Sequence, residues 1–104
     1  MSNLLLICAD AAISDNIIHK MSDEYTIWHV AHRHDAMAWL KDRQPESIIM
    51  DLDLLGDTAH DVLDQINEST SDNCTLIIGL CESPEPIAPA LAQRLDQLVL
   101  HHSI

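Results

Sequence analysis

The sequence predicts an α/β domain built on a five-stranded parallel sheet, and three observations carry that prediction. Short apolar runs alternate with stretches whose apolar residues recur at helical spacing, in the order β-α-β-α-β-α-β-α-β. The chain has 104 residues, which suits one domain spanning 1–104. Hydrophobic residues make up 47% of it, yet only 3% are aromatic and there is no Phe. A core of that composition has to be aliphatic, as in strands buried on both faces.

Leu4–Cys8 is a continuous apolar run and reads as a buried first strand. Asp10 is placed to cap the helix that follows, where Ile13, Ile17, Ile18 and Met21 share one face. Tyr25–Val30 is a second strand, polar enough for a sheet edge. Asp35 caps a helix carrying Ala36, Trp39 and Leu40 on one side, which Gln44-Pro45 stops. Ser47–Met50 continues into Asp51 as the third strand. Thr58 caps the next helix, with Val62, Leu63 and Ile66 inward, and Asp61 stands where a capping box has Glu or Gln. Ser69–Asn73 is a polar turn and Thr75–Leu80 the fourth strand. Pro84, Pro86 and Pro89 punctuate the following segment. A helix starts near Pro86, proline being tolerated in a first turn, with Ile87, Leu91 and Leu95 inward. Leu98–Leu100 is a short fifth strand. Single-helix connections make the crossovers right-handed.

Charge excludes some functions. The net charge is −12, from 17 acids against five bases. Those bases, Lys20, Arg33, Lys41, Arg43 and Arg94, are scattered and form no stripe. Binding nucleic acid by phosphate neutralisation, or docking on an anionic membrane, is therefore not expected of this domain. The cysteines, Cys8, Cys74 and Cys81, are odd in number and read as reduced thiols of a cytoplasmic protein. Ala9-Asp10-Ala11 and Cys8 faintly imitate export signals. A positive leader is absent, the apolar run is short, and bulky Ile7 precedes the cysteine. No segment is long enough to span a bilayer.

In open parallel sheets, ligands bind beyond the carboxyl ends of the strands. Those ends carry Cys8-Ala9-Asp10, Asp51-Leu52-Asp53, Cys81 and His101-His102. The stretch from Pro45 through Asp51 to Gly56-Asp57 closely resembles the third strand and following loop of receiver domains of bacterial response regulators, and the resemblance runs over nearly the whole chain. It implies a flavodoxin-like, doubly wound sheet of order 2-1-3-4-5, with β1, β3 and β4 central. It makes Asp51 the candidate phosphoacceptor. Cys81, 30 residues further on, stands where the family has Thr or Ser, and His101 lies near the family's Lys.

The departures are as informative. The family's paired acids hold Mg²⁺; here the aligned pair is Cys8-Ala9, with Asp10 one position later. Mg²⁺ takes oxygen ligands, which a thiol and a methyl do not supply. A thiol is a poorer donor than a hydroxyl, and histidine is mostly neutral at pH 7. The aromatic switch position is Leu98. The expectation is an atypical, pseudo-receiver domain: not an enzyme, without a cofactor or metal, and acting through a protein partner or as a homodimer. Four residues follow Leu100, so the expectation is either a domain without the family's last helix or a fragment of a longer protein. Absence of that helix is expected to bare apolar sheet near strands one, three and five, an interface involving Leu98, Leu100 and the first helix.

Three other readings remain at this stage. Asp51 is the phosphoacceptor of a working receiver. Alternatively, Leu6 to Ser14 resembles the first strand and loop of the B domain of cellobiose-type sugar phosphotransferase systems, which implies a phosphocysteine carrier using Cys8. There, Ala11 replaces a glycine and Asp10 puts negative charge into the phosphate cradle. Last, His29, His32 and His34, or Cys8, Cys81 and His101, could bind zinc, though no pair has the tight spacing of a dependable site.

Overall fold

The structure is a computed structural model that describes residues 2–69, 75–82 and 89–100. One parallel sheet has the order β2-β1-β3-β4-β5, as expected. Its strands are β1 (Ser2–Ile7), β2 (Tyr25–Val30), β3 (Ser47–Asp51), β4 (Leu76–Cys81) and β5 (Gln97–Leu100). The helices are α1 (Ala11–Met21), α2 (Arg33–Asp42), α3 (Leu52–Leu55), α4 (Ala59–Ser69) and α5 (Pro89–Ala92), with a 3-10 turn, Gly56–Thr58, before α4. The most apolar strands are the inner ones, because a strand between two others under helices has no polar side to show. Leu4, Leu5, Leu6 and Ile7 are fully buried. The more polar β2 is an edge.

Strand alternation divides the core in two. On one face Leu5, Ile7, Ile48 and Met50 pack with residues of α2, α3, α4 and α5. On the other, Leu4, Leu6, Cys8, Ile49 and Leu80 pack with α1 through Ile13, Ile17, Ile18 and Met21. Among the described residues, α1 is the one helix on this second face.

Several local expectations are corrected. Asp10 does cap α1, accepting from Ala12 N at 3.0 Å and Ile13 N at 3.3 Å. The cap of α2, however, is His32, which makes no side-chain cap bond; Asp35 lies in the first turn instead, where a negative charge still favours the helix dipole. Thr58 does not cap a free helix end. Its hydroxyl donates to the Leu55 carbonyl, joining the 3-10 turn to α3, a helix too short to leave a periodic signature. Boundaries shift by a residue or two at β1, β4 and β5. Cys74, Pro84, Pro86, Ile87, His101, His102 and most of the Ser69–Asn73 turn lie outside the described residues.

Among the described residues, α1 covers β1, and no helix lies over β3, β4 and β5 on that face. Leu98 and Leu100 belong to the opposite face. Leu100 packs with the α2–α5 core, and Leu98 reaches over Gly79 on that same side. Period two therefore gives the α1 face Gln97 and Val99.

Gly79 is closely packed on β4. A Cβ there would lie 2.7 Å from Leu95 Cδ1 and 2.9 Å from Leu52 Cδ1. Gly79→Val should therefore lower stability by about 1–3 kcal/mol through overpacking, read as a reduced urea midpoint at unchanged m-value. An unchanged midpoint would show that the two leucines move aside freely.

Candidate functional site

The ends of β1, β3 and β4 bring most of the expected residues together. Cys8 follows β1, and its N–H donates to Val30 O at 3.0 Å, extending the ladder to the edge strand. Asp51 ends β3 with only 6% of its surface exposed. Both lie on the α1 face, which aims the Cys8 thiol at the carboxylate: Sγ stands 3.8 Å from Asp51 Oδ2. The same thiol lies 3.6 Å from the Asp10 carbonyl. Asp51 Oδ1 accepts the Asp53 N–H at 3.1 Å, so the residue also caps α3. A short polar side chain directly after a strand is well suited to start a helix in this way.

Asp53 is exposed and turns toward the next loop. Its Oδ2 accepts the Glu82 N–H at 2.8 Å, which ties α3 to the exit of β4. Cys81, the last residue of β4, is buried on the opposite face, among the α2–α5 core. Cys8 and Cys81 therefore do not share one side of the sheet. Asp10 faces the N-terminal amides of its own helix. His101 lies outside the described residues.

Two residues have roles here that the sequence did not indicate. Ser14 Oγ donates to Asp10 O at 2.9 Å. His29 Nε2 lies 2.8 Å from Cys8 O and 3.2 Å from Ser14 Oγ. Because a carbonyl only accepts, Nε2 carries the proton and is shared between the two oxygens. His29 is thus drawn to the end of β1, away from His32 at the α2 cap and His34 in its first turn. Among the described residues, no three His, Cys, Asp or Glu side chains gather as a metal site would require. Parallel register was the missing signal: His29 pairs with Leu6, two residues before Cys8.

Burial pushes the Cys8 thiol above its ordinary pKa. Hydrogen bonds with Ser14 and the Asp10 backbone pull it down, and the charges of Asp51 and Asp10 raise it further. Cys81 is raised in the same way, by burial first and then by Asp53 and Asp51. Both are protonated thiols at neutral pH. That opposes a phosphocysteine role for Cys8, since the thiolate is the nucleophile. The α1 amides that would cradle a phosphate are already capped by Asp10. Nor does the β1 end fit Mg²⁺: a thiol and a methyl stand there, and Asp10 is engaged at its helix.

No protein-family model matches the chain, and no curated protein matches it. Solved structures do. A response regulator receiver domain (CheY-like) from Methylobacillus flagellatus has a TM-score of 0.80 at 11% identity, over 96% of this chain and 86% of that one. The signal receiver domain of a Luxo repressor protein from Vibrio parahaemolyticus has 0.74 at 28% identity, over 95% and 77%. A response regulator protein from Thermotoga maritima, in complex with Mg(2+)-BeF, has 0.77 at 17%, over 96% and 86%. The chain therefore has the flavodoxin-like fold of response regulator receiver domains. None of its described helices is long and apolar enough to cross a membrane.

The thiol environment has a pH consequence. Both cysteines hold their protons more tightly folded than unfolded. Their contribution to stability is full below the unfolded thiol value, about 8.5, and is lost as pH rises through the folded values. Thermal stability should therefore fall above about pH 9, and less steeply in a Cys8→Ala/Cys81→Ala variant. In the native protein at pH 7, peptide mapping should find Cys8 and Cys81 unlabelled by a disulfide reagent. Rapid stoichiometric labelling of Cys8 would contradict this account.

Proposed function

We propose that this chain is a receiver-fold module of two-component signalling that acts by protein–protein interaction and has lost the phosphorylation switch. The single observation behind this reading is the Cys8 thiol set 3.8 Å from Asp51 Oδ2, where the resemblance calls for a metal-holding acid. Phosphoryl transfer is positioning plus neutralisation of charge on the transferring group. Without a bound divalent cation, a phosphoryl donor brings its negative charge to a crevice already holding Asp51, Asp53 and Asp10. A buried, protonated Cys81 in place of a hydroxyl removes a good donor from the same crevice.

What survives is a surface. A receiver passes its signal on by biasing contacts with a partner. With the switch gone, the surface is constitutive, and occupancy by the partner is the regulated quantity. The partner is a protein, because a chain at −12 repels nucleic acid and anionic lipid.

Incubation with acetyl phosphate and Mg²⁺, followed by intact-mass spectrometry, tests the reading. The expected result is no stoichiometric phosphoryl adduct. An adduct lost in Asp51→Asn would overturn the proposal in favour of a phospho-accepting receiver.

A further inference from the structure

The strand β2 ends the sheet with an unguarded edge. Among the described residues, no strand pairs with its outer side. Residues 22–33, which carry the strand and both its flanks, are all described. Edge strands are normally kept from further pairing by charged side chains, proline or a bulge. Tyr25–Val30 holds no Asp, Glu, Lys, Arg or Pro, and its register with β1 runs unbroken from end to end. Tyr, Thr, Ile, Trp and Val are strong strand formers.

One bond fixes the direction of the backbone groups. The Val30 carbonyl faces β1, where it accepts the Cys8 N–H. The N–H and C=O of a strand residue point to the same side, and successive residues alternate. Thr26, Trp28 and Val30 therefore bond inward, while Tyr25, Ile27 and His29 present their backbone groups outward. Those three are evenly spaced about Ile27, so the edge is complementary to itself when a second copy runs antiparallel. Ile27 then faces its own symmetry mate, and Tyr25 faces the second copy's His29. This register makes about six backbone hydrogen bonds. On the α2 face it sets Thr26 against the second copy's Trp28. Trp28 is 39% exposed, and a ring of that size gains much from burial.

Charge favours the same arrangement. Asp23 and Glu24 stand at the start of β2, and His32, Arg33 and His34 follow its end; all five are exposed. Reversing the second copy brings the acidic end of each strand beside the basic end of the other. Arg33 meets Asp61 at 3.5 Å, with both side chains about half exposed. Such a pair is weak and leaves other guanidinium donors for a second acid. The net charge of −12 includes no acid within β2, and charge on the rest of the chain is screened beyond about 8 Å at physiological salt.

Building on the interaction-module reading, we infer that the partner is a second copy of this chain, added antiparallel along β2 about a two-fold axis at Ile27. The two sheets become one, and each edge closes the other.

Sedimentation equilibrium from about 10 µM to about 1 mM should show a monomer–dimer equilibrium. In a mixture of ¹³C-labelled and unlabelled chains, intermolecular NOEs should join Thr26 Hα to Trp28 Hα, the close pair of this register. Ile27→Pro deletes an outward N–H and no bond to β1, so it should weaken dimerisation by about tenfold. Two charge variants leave the strand itself untouched. Asp23→Lys/Glu24→Lys and Arg33→Glu should each self-associate more weakly than the native chain, and mixing them should restore pairing, because only unlike chains then match. A monomer throughout this range, NOEs that place another surface at the interface, or no preference for mixed pairs would overturn the inference. A monomer that takes no phosphoryl adduct leaves the interaction-module reading standing; an Asp51 adduct removes that reading whatever the sedimentation shows.

Discussion

A carboxylate buried at the end of a central strand constrains everything around it. Asp51 has to be hydrogen-bonded where little water reaches, because an unsatisfied buried acceptor costs about 1–3 kcal/mol. The Asp53 N–H and the Cys8 thiol each meet one of its oxygens. The first contact obliges the chain to turn into α3 immediately after β3. That turn presents Asp53 to Glu82 N and fixes the loop leaving β4. The second contact keeps the end of β1 against the end of β3, where His29 donates to the Cys8 carbonyl. Three strand ends are thus joined through short polar links rooted in one side chain.

On the proposed reading, the same arrangement lets a receiver fold persist without receiver chemistry. A thiol facing a carboxylate is a neutral donor and neutralises no charge. The fold itself depends on the aliphatic core, in which burying one Leu or Ile contributes about 1.5–3 kcal/mol. Fold and chemistry rest on different residues, so one can be kept while the other is lost. On the proposed reading, selection acts on the surface.

Much of this was legible in the sequence because it rests on periodicity. The strand order followed from five apolar runs separated by single helices together with the family resemblance. The placement of Cys8, Asp51 and Cys81 at strand ends followed from where those runs stop. What the sequence hid depends on parity and on local competition. Leu98 and Leu100 look like an interface pair, yet the strand begins at Gln97 and turns both toward the α2–α5 core. Thr58 looks like a cap, but Asp51 had already started a helix upstream. His29 looks like part of a histidine cluster, but parallel register carries it to β1. Each error traces to a neighbour in space that single-chain patterning does not display.

The account turns on whether the crevice holds a divalent cation, and a Mg²⁺ titration followed through backbone amide shifts addresses that directly. The residues to watch are Cys8, Ala9, Asp51, Leu52 and Asp53. The account predicts small, linear, non-saturating changes through millimolar Mg²⁺, indistinguishable from those produced by raising ionic strength alone. Saturating shifts confined to these residues, abolished by Asp51→Asn, would contradict it and return the domain to the phosphorylated receivers.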